Sequence, residues 1–317
     1  LANVVWADGA PVLFDALEFD AQLRHIDLVG DAAFAFMDLL AAGLPHLAWR
    51  FASVWLEATG QHDGLPLLAW WTLHRAAVRA KVALLAKLPT PPTALPAALH
   101  RYMAVARQMT TPPAQSPLLV LTCGLSGSGK SAVAAALAAR LGGIRLRSDV
   151  ERKRLAGLAP TARGGPALYT PEAGARTYAR LQQLAAGTLA AGVPVVVDAA
   201  SLRQDERAAM QAVAQAAGAR FQLLLCEAPM AVLEQRVGVR LAAAADASDA
   251  TPDLLARQRQ WVQWPGPDEA AHTWRLNTDA PLADVLAEAL ALADQLPISA
   301  AIRGAVVNGH PAMPGPA

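Results

Sequence analysis

Cysteine is nearly absent from this chain of 317 residues: it has two, Cys123 and Cys226, each closing an apolar run. That count excludes a disulfide scaffold, and the positions read as small core residues rather than a redox pair. Charge is sparse as well. Lys and Arg number 27 against 26 Asp and Glu, giving a net charge of +1 with 17% charged residues. No basic field of the kind that attracts nucleic acid or an anionic membrane surface results. Long apolar runs are missing despite a hydrophobic fraction of 54%, which alanine inflates. They break within about a dozen residues, short of the roughly 20 that a membrane-spanning helix needs. With no signal-peptide pattern, the cytoplasm is the expected compartment. The initiating methionine is also lacking, since Leu1 comes first, so the chain is expected to be a fragment.

Against these absences stands Gly124-Leu125-Ser126-Gly127-Ser128-Gly129-Lys130-Ser131. It fits G-x-x-x-x-G-K-[ST], the phosphate-binding P-loop. Gly124, Gly127 and Gly129 let backbone N–H groups turn inward on β- and γ-phosphates. Lys130 reaches the same oxygens as a point charge, and the Ser131 hydroxyl suits Mg²⁺. The context agrees. The apolar run Leu118 to Cys123 precedes the motif as a buried strand, and the alanine-rich segment 131–141 follows as a helix ending at Gly142-Gly143. A helix N-terminus there adds affinity for anions.

The length allows two domains. Residues 1–88 are mainly helical in pattern from about position 20, with Trp49, Trp55, Trp70 and Trp71 expected to supply core volume. Residues 89–117 carry two Pro/Thr-rich stretches around a short helical piece and read as a semi-rigid linker. From 118 to 297 strand-like runs (118–123, 144–147, 193–197, 220–226, 273–276) alternate with helical ones, the last at about 281–295. Such alternation means α/β architecture, a parallel sheet with helices on both faces. Residues 298–317 read as a flexible tail.

Three features refine the chemistry. Asp149 closes the second strand, where parallel sheets open onto the ligand crevice; it is placed to accept the proton of an attacking hydroxyl, or alternatively to cap the next helix. Asp198 ends the run Val195-Val196-Val197, the Walker B position for Mg²⁺, the plainer reading being a solvated strand-end carboxylate. The following residue is Ala199, not the glutamate with which many motor ATPases activate water, so transfer to another acceptor is favoured over hydrolysis. Arg236 and Arg240, four apart on one helix, repel mildly unless an anion lies between them, which suggests a lid over phosphates; a solvated basic face offset by Glu234 is the alternative. Arg257 and Arg259 flank Gln258 after the loop 246–252.

With these motifs assembled, residues 118–296 resemble the small P-loop kinases, a group that includes gluconate, shikimate, polynucleotide and zeta-toxin-like kinases. The segments 124–131, 146–153, 168–172 and 195–200 resemble more closely the C-terminal half of bacterial proteins described as bifunctional aminoglycoside phosphotransferase-like/ATP-binding. The N-terminal part fits that resemblance. Leu1 to Asp15 reads as a hairpin turning at Asp8-Gly9, with Asn3 and Asp15 near its open ends, where an amide and a carboxylate could share Mg²⁺. The resemblance implies a truncated phosphotransferase lobe whose catalytic aspartate and nucleotide clamp lie outside this sequence.

The sequence therefore predicts a P-loop NTPase of kinase type preceded by a truncated helical lobe. ATP and Mg²⁺ are the expected cofactors: the loop 124–131 binds nucleotide and Ser131 and Asp198 hold the metal. Lys130, Asp149, Arg236 and Arg240 are the expected catalytic residues, and the acceptor is a small-molecule hydroxyl. Two alternatives stand beside this reading. One is a nucleotide-responsive regulatory module with little turnover. The other is a polynucleotide-end kinase, which the near-neutral charge disfavours but the local cluster Arg145, Arg147, Arg152, Lys153 and Arg154 would serve.

Overall fold

The computed structural model describes residues 4–14, 25–85, 97–111, 115–243, 248 and 250–296. The chain opens with an antiparallel hairpin, β1 (Val4–Ala7) and β2 (Ala10–Leu13), in register from Val4 opposite Leu13 to Ala7 opposite Ala10. Its turn residues, Asp8 at φ 50° and Gly9 at φ 76°, are both left-handed, as a two-residue turn matched to strand twist requires. The turn is the one expected from the sequence; Asn3 and Asp15 lie outside the described residues.

Four helices follow: α1 (Leu28–Ala41), α2 (Pro45–Thr59), α3 (Leu65–Leu85) and α4 (Ala97–Thr110). Asp27 caps α1, its side chain accepting from the Gly30 N–H at 3.0 Å. α2 starts on Pro45 and stops at Gly60, which is left-handed. Phe36 of α1 meets Trp49 of α2 edge to face at 5.1 Å. Trp49, Trp55 and Trp71 pack on the core as expected. Trp70 does not: it is 56% exposed and stacks on His74 at 5.7 Å. α4 is the short helix expected between the two Pro/Thr-rich stretches. It packs against α3 and α1, burying Leu99 and Val105. The prolines at 89–92 and 112–113 fall outside the described residues.

The rest is a five-stranded parallel sheet. Its strands are β3 (Leu118–Cys123), β4 (Ile144–Arg147), β5 (Val195–Asp198), β6 (Arg220–Glu227) and β7 (Thr273–Asn277), ordered β4-β5-β3-β6-β7. Between them run α5 (Lys130–Leu141), α6 (Ser148–Leu155), α7 (Pro171–Ala190), α8 (Gln204–Ala216), α9 (Met230–Ala243) and α10 (Pro252–Trp261), and α11 (Leu282–Asp294) closes the domain. The expected strands and the last helix are found within about two residues. β5 starts at Val195 rather than 193.

Alternation along the central strands divides the core. Leu118 and Val120 of β3, Val196 of β5 and Leu224 of β6 pack with Val133 and Leu137 of α5 and Val285 of α11. Leu119, Leu121, Val195, Val197, Leu223 and Leu225 point the other way, toward Leu181 and Leu184 of α7 and Met210 of α8. This two-residue period is what a sheet buried on both faces imposes. The second cluster continues into the helical region through Phe36, Met37 and Leu56. The two regions thus share one apolar core.

The join is made at the sheet's edge. β4 is an end strand, and an uncovered edge leaves backbone groups unpaired. α2 covers it: the Arg145 N–H donates to Ser53 Oγ at 2.8 Å, and Ser53 is buried.

Candidate functional site

The loop between β3 and α5 follows the P-loop sequence closely. Gly124 lies at φ 144° and Gly127 at φ 85°. A Cβ on Gly124 would stand 2.5 Å from the Cys226 carbonyl oxygen, and one on Gly127 2.7 Å from that of Leu233. Both positions need glycine twice over, for backbone angle and for space. Gly129, also left-handed, is the N-cap of α5. The Gly124 N–H donates to the Ala200 carbonyl at 3.0 Å, tying the loop to the chain beyond β5.

Lys130 is the first residue of α5, and its Nζ donates to the Leu125 carbonyl at 2.7 Å and to Ser128 Oγ at 3.2 Å. Burial lowers the pKa of this ammonium. Ser131 Oγ donates to Asp198 Oδ1 at 3.2 Å, bringing together the two residues expected to hold a metal. Asp198 is 5% exposed, and its Oδ2 has no hydrogen-bond partner. Burial raises its carboxyl pKa, opposed by the nearby charges of Arg145 and Arg147 and by the Ser131 bond. A carboxylate oxygen buried without a donor, beside a serine hydroxyl, fits a small hard cation that keeps most of its other ligands as water or phosphate oxygen.

The loop forms one side of a cleft of about 800 Å³ that is also lined by Asp149, Asp198, Arg236 and Arg240. With Lys130 of the loop, the four residues expected to act in catalysis, Lys130, Asp149, Arg236 and Arg240, face a single space. Asp149 is not the cap that the alternative reading made it. α6 begins at Ser148, with Arg147 at the N-cap, so Asp149 lies inside the first turn. Its Oδ1 accepts from Arg152 Nη1 at 3.2 Å, and Arg152 lies over the Tyr169 ring, 5.0 Å from its centroid. On α9, Arg236 Nη2 donates to the Thr278 carbonyl at 2.8 Å, while Arg240 Nη2 is buried without a partner. A guanidinium nitrogen in that state, lining a cleft, is suited to an anionic oxygen. Gly124, Leu125 and Ser128 are buried beneath the loop, whereas Ser126, Gly127, Gly129, Lys130 and Ser131 line the cleft.

Several contributors escape a reading of the sequence. Arg257 and Arg259 are exposed and do not line the cleft; Gln258 between them does, its Oε1 accepting from the Ser126 N–H at 3.0 Å. The spacing of Leu254, Leu255 and Gln258 on one helical face was the available signal. Ser201 lies at φ 45°, buried, its N–H donating to the Tyr178 hydroxyl at 2.9 Å. A non-glycine residue held there marks backbone strain next to a site. Arg207 clamps this turn from below, donating to the Ser201 carbonyl at 3.1 Å while pairing with Glu269 at 2.7 and 2.8 Å.

The basic cluster on β4 and α6 is engaged internally. Arg145 and Arg147 pair with Glu57 of α2, both at 3.2 Å. Arg152 pairs with Asp149, and Arg154 with Glu151 and the Glu57 carbonyl. Lys153 is 1% exposed and donates to the Pro160 carbonyl.

Comparison with known proteins adds family context. Residues 119–265 match the family model described as an AAA domain. An uncharacterized protein of Mycobacterium tuberculosis is 28% identical over 289 residues, covering 86% of this chain and 57% of that protein. An uncharacterized protein of Mycobacterium bovis matches to the same extent. The chain thus spans 57% of the length of these curated relatives. Among solved structures, a gluconokinase from Sinorhizobium meliloti superposes with a TM-score of 0.43 at 24% identity, covering 57% of this chain and 94% of that one. The APS kinase of Mycobacterium tuberculosis, in complex with AMPPNP and APS, gives a TM-score of 0.42 at 28% identity, covering 58% of this chain and 99% of that one. Among the described residues no helix is long and apolar enough to cross a membrane. What the site itself presents is a P-loop at the carboxyl end of a parallel sheet, with a serine–aspartate pair beside it.

Proposed function

We propose that the chain is an ATP-dependent phosphotransferase that moves the γ-phosphate of Mg²⁺-ATP to a hydroxyl of a small-molecule acceptor. One observation carries this reading: the hydrogen-bonded Ser131–Asp198 pair, the Lys130 ammonium and the Arg240 guanidinium line the same cleft as Asp149. Cation site, phosphate-binding charges and a candidate base then share one space.

In this reading the loop 124–131 binds the phosphates through backbone N–H groups, and Lys130 turns from Leu125 and Ser128 onto β- and γ-oxygens. Ser131 and Asp198 would hold Mg²⁺, which would supply positive charge to offset that of the phosphates. Asp149, oriented by Arg152, accepts the proton of the acceptor hydroxyl. Arg236 and Arg240 meet the charge that spreads over the equatorial oxygens during transfer. Gln258 couples α10 to the loop and places that helix along the wall of the cleft.

The alternative of a regulatory module with little turnover draws support from the contacts between α2 and the sheet domain. The polynucleotide-end alternative is weakened because its basic cluster is bound up in internal pairs. Descent of residues 1–88 from a phosphotransferase-like lobe, and a linker at 89–117, belong to the same proposal.

The test follows the phosphate. Purified protein and Lys130→Ala are incubated with γ-labelled Mg²⁺-ATP and a small-metabolite extract. A labelled organic product that the variant does not form is the expected result. ATP binding with label retained on ATP would favour the regulatory module.

A further inference from the structure

Glu57 belongs to α2, in the helical region, and is far in sequence from every residue assigned above. Its carboxylate nevertheless lies one contact from the proposed metal site by two routes. Oε2 accepts from Arg145 Nη2 at 3.2 Å, and Arg145 Nη1 donates to the Ser131 carbonyl at 3.2 Å. Oε1 accepts from Arg147 Nη1 at 3.2 Å, and Arg147 Nε stands 3.8 Å from Asp198 Oδ2. The glutamate therefore bridges two guanidiniums, each of which touches one member of the Ser131–Asp198 pair. The mount is rigid: Ser53, one helical turn before Glu57, accepts from the Arg145 N–H, and Arg154 donates to the Glu57 carbonyl.

The charges give this arrangement a consequence. Arg147 sits between two carboxylates. While Glu57 engages it, the guanidinium is kept at ion-pair distance from Asp198 without a hydrogen bond to Oδ2, the oxygen left without a donor. Removing Glu57 takes away a carboxylate that competes with Asp198 for this guanidinium, and Asp198 already stands at ion-pair distance from it. A direct Arg147–Asp198 bond would occupy the oxygen a divalent cation needs and add positive charge where the cation binds.

We infer that Glu57 is a positioning residue through which the helical region keeps the Asp198 carboxylate open for Mg²⁺, by drawing Arg145 and Arg147 away from it. The inference rests on the Mg²⁺-nucleotide reading of the cleft. Helical region and phosphate site then form one unit, because a carboxylate that pairs with both arginines comes from α2.

The test measures metal dependence of nucleotide binding, apart from turnover. AMP-PNP is titrated by calorimetry at a series of free Mg²⁺ concentrations into wild type, Glu57→Gln, Arg147→Gln and the double variant. Loss of a residue that orients a metal ligand typically weakens metal binding about 10- to 100-fold. Glu57→Gln is expected to raise the half-saturating Mg²⁺ concentration roughly tenfold, with Mg²⁺-free AMP-PNP affinity unchanged or tighter. The double variant is expected to return toward wild type, since the competing guanidinium is gone. A Glu57→Gln midpoint equal to wild type, or a double variant as impaired as Glu57→Gln, overturns the inference. Should Glu57→Gln fail to fold, Arg147→Gln decides alone: a lower Mg²⁺ midpoint supports the inference and an unchanged one overturns it. If wild type binds AMP-PNP with no dependence on Mg²⁺, the functional reading itself fails, a result distinct from all of these.

Discussion

Ser131 Oγ and Asp198 Oδ1 are 3.2 Å apart, joined across 67 residues by the pairing of β3 with β5. The register sets Leu121 beside Val197, so the end of one strand and the first turn of α5 meet at the carboxyl edge of the sheet. The proposed cation site depends on both residues being brought together in this way.

Asp198→Asn separates function from stability. Burial raises the folded-state pKa of this carboxyl above 3.8, so ionisation counts against the fold once pH passes that value. At neutral pH, without metal, the asparagine variant should be more stable by about 1 kcal/mol, a few degrees in Tm. The extra stabilisation that Mg²⁺ gives nucleotide-bound wild type should vanish in the variant. Thermal melts with ADP, with and without Mg²⁺, measure both effects.

Arg240 and Arg236 should differ when truncated. Arg240→Ala should lower kcat about 10²- to 10³-fold with Tm unchanged, because the buried Nη2 has no partner to lose. Arg236→Ala removes the bond to the Thr278 carbonyl as well, and should lower both kcat and Tm. Equal melting behaviour of the two variants would contradict the assignment.

Two left-handed glycines offer an internal control. Gly157, at φ 69°, has open space where a Cβ would stand, whereas Gly127 faces the Leu233 backbone. Gly157→Ala should cost about 1 kcal/mol from backbone strain alone. Gly127→Ala should cost about 3 kcal/mol or more, since α9 must shift too. Urea denaturation of the two variants measures the difference.

His62 should set the acid limb of stability. It is 8% exposed with Glu151 at 3.8 Å, and burial, reinforced by the charges of Arg154 and Arg180, holds its pKa down to about 4 against 6.5. The unfolded chain therefore takes up a proton that the folded one refuses. Stability should be unaffected above pH 6.5 and fall progressively down to about pH 4, by at most about 3 kcal/mol. His62→Gln should flatten that limb in urea melts at pH 7, 5.5 and 4.5.

How far the sequence reached depends on how local each feature is. The P-loop was legible because its function is written in backbone angles: glycine is the residue that accepts φ 144° at 124 and φ 85° at 127 without strain. The parallel sheet was legible because short apolar runs alternating with helical patterns admit few other arrangements. Asp198 could be placed because a carboxylate at a strand end opens onto the crevice.

Other features depended on side chains meeting across long separations. Gln258 rather than its flanking arginines reaches the loop because the phase of α10, fixed by the burial of Leu255, turns that face inward. Trp70 points outward because its neighbours on α3 occupy the buried stripe.

The sequence by itself determined the phosphate-binding loop, the sheet and the residue types of the cleft, since each follows from spacing within a few turns of chain. Only the tertiary structure decided that Glu57, 90 residues from Arg147, balances the arginines beside Asp198. Charge compensation acts through distances of a few ångströms in space, and no pattern along the chain records which carboxylate the fold will bring there.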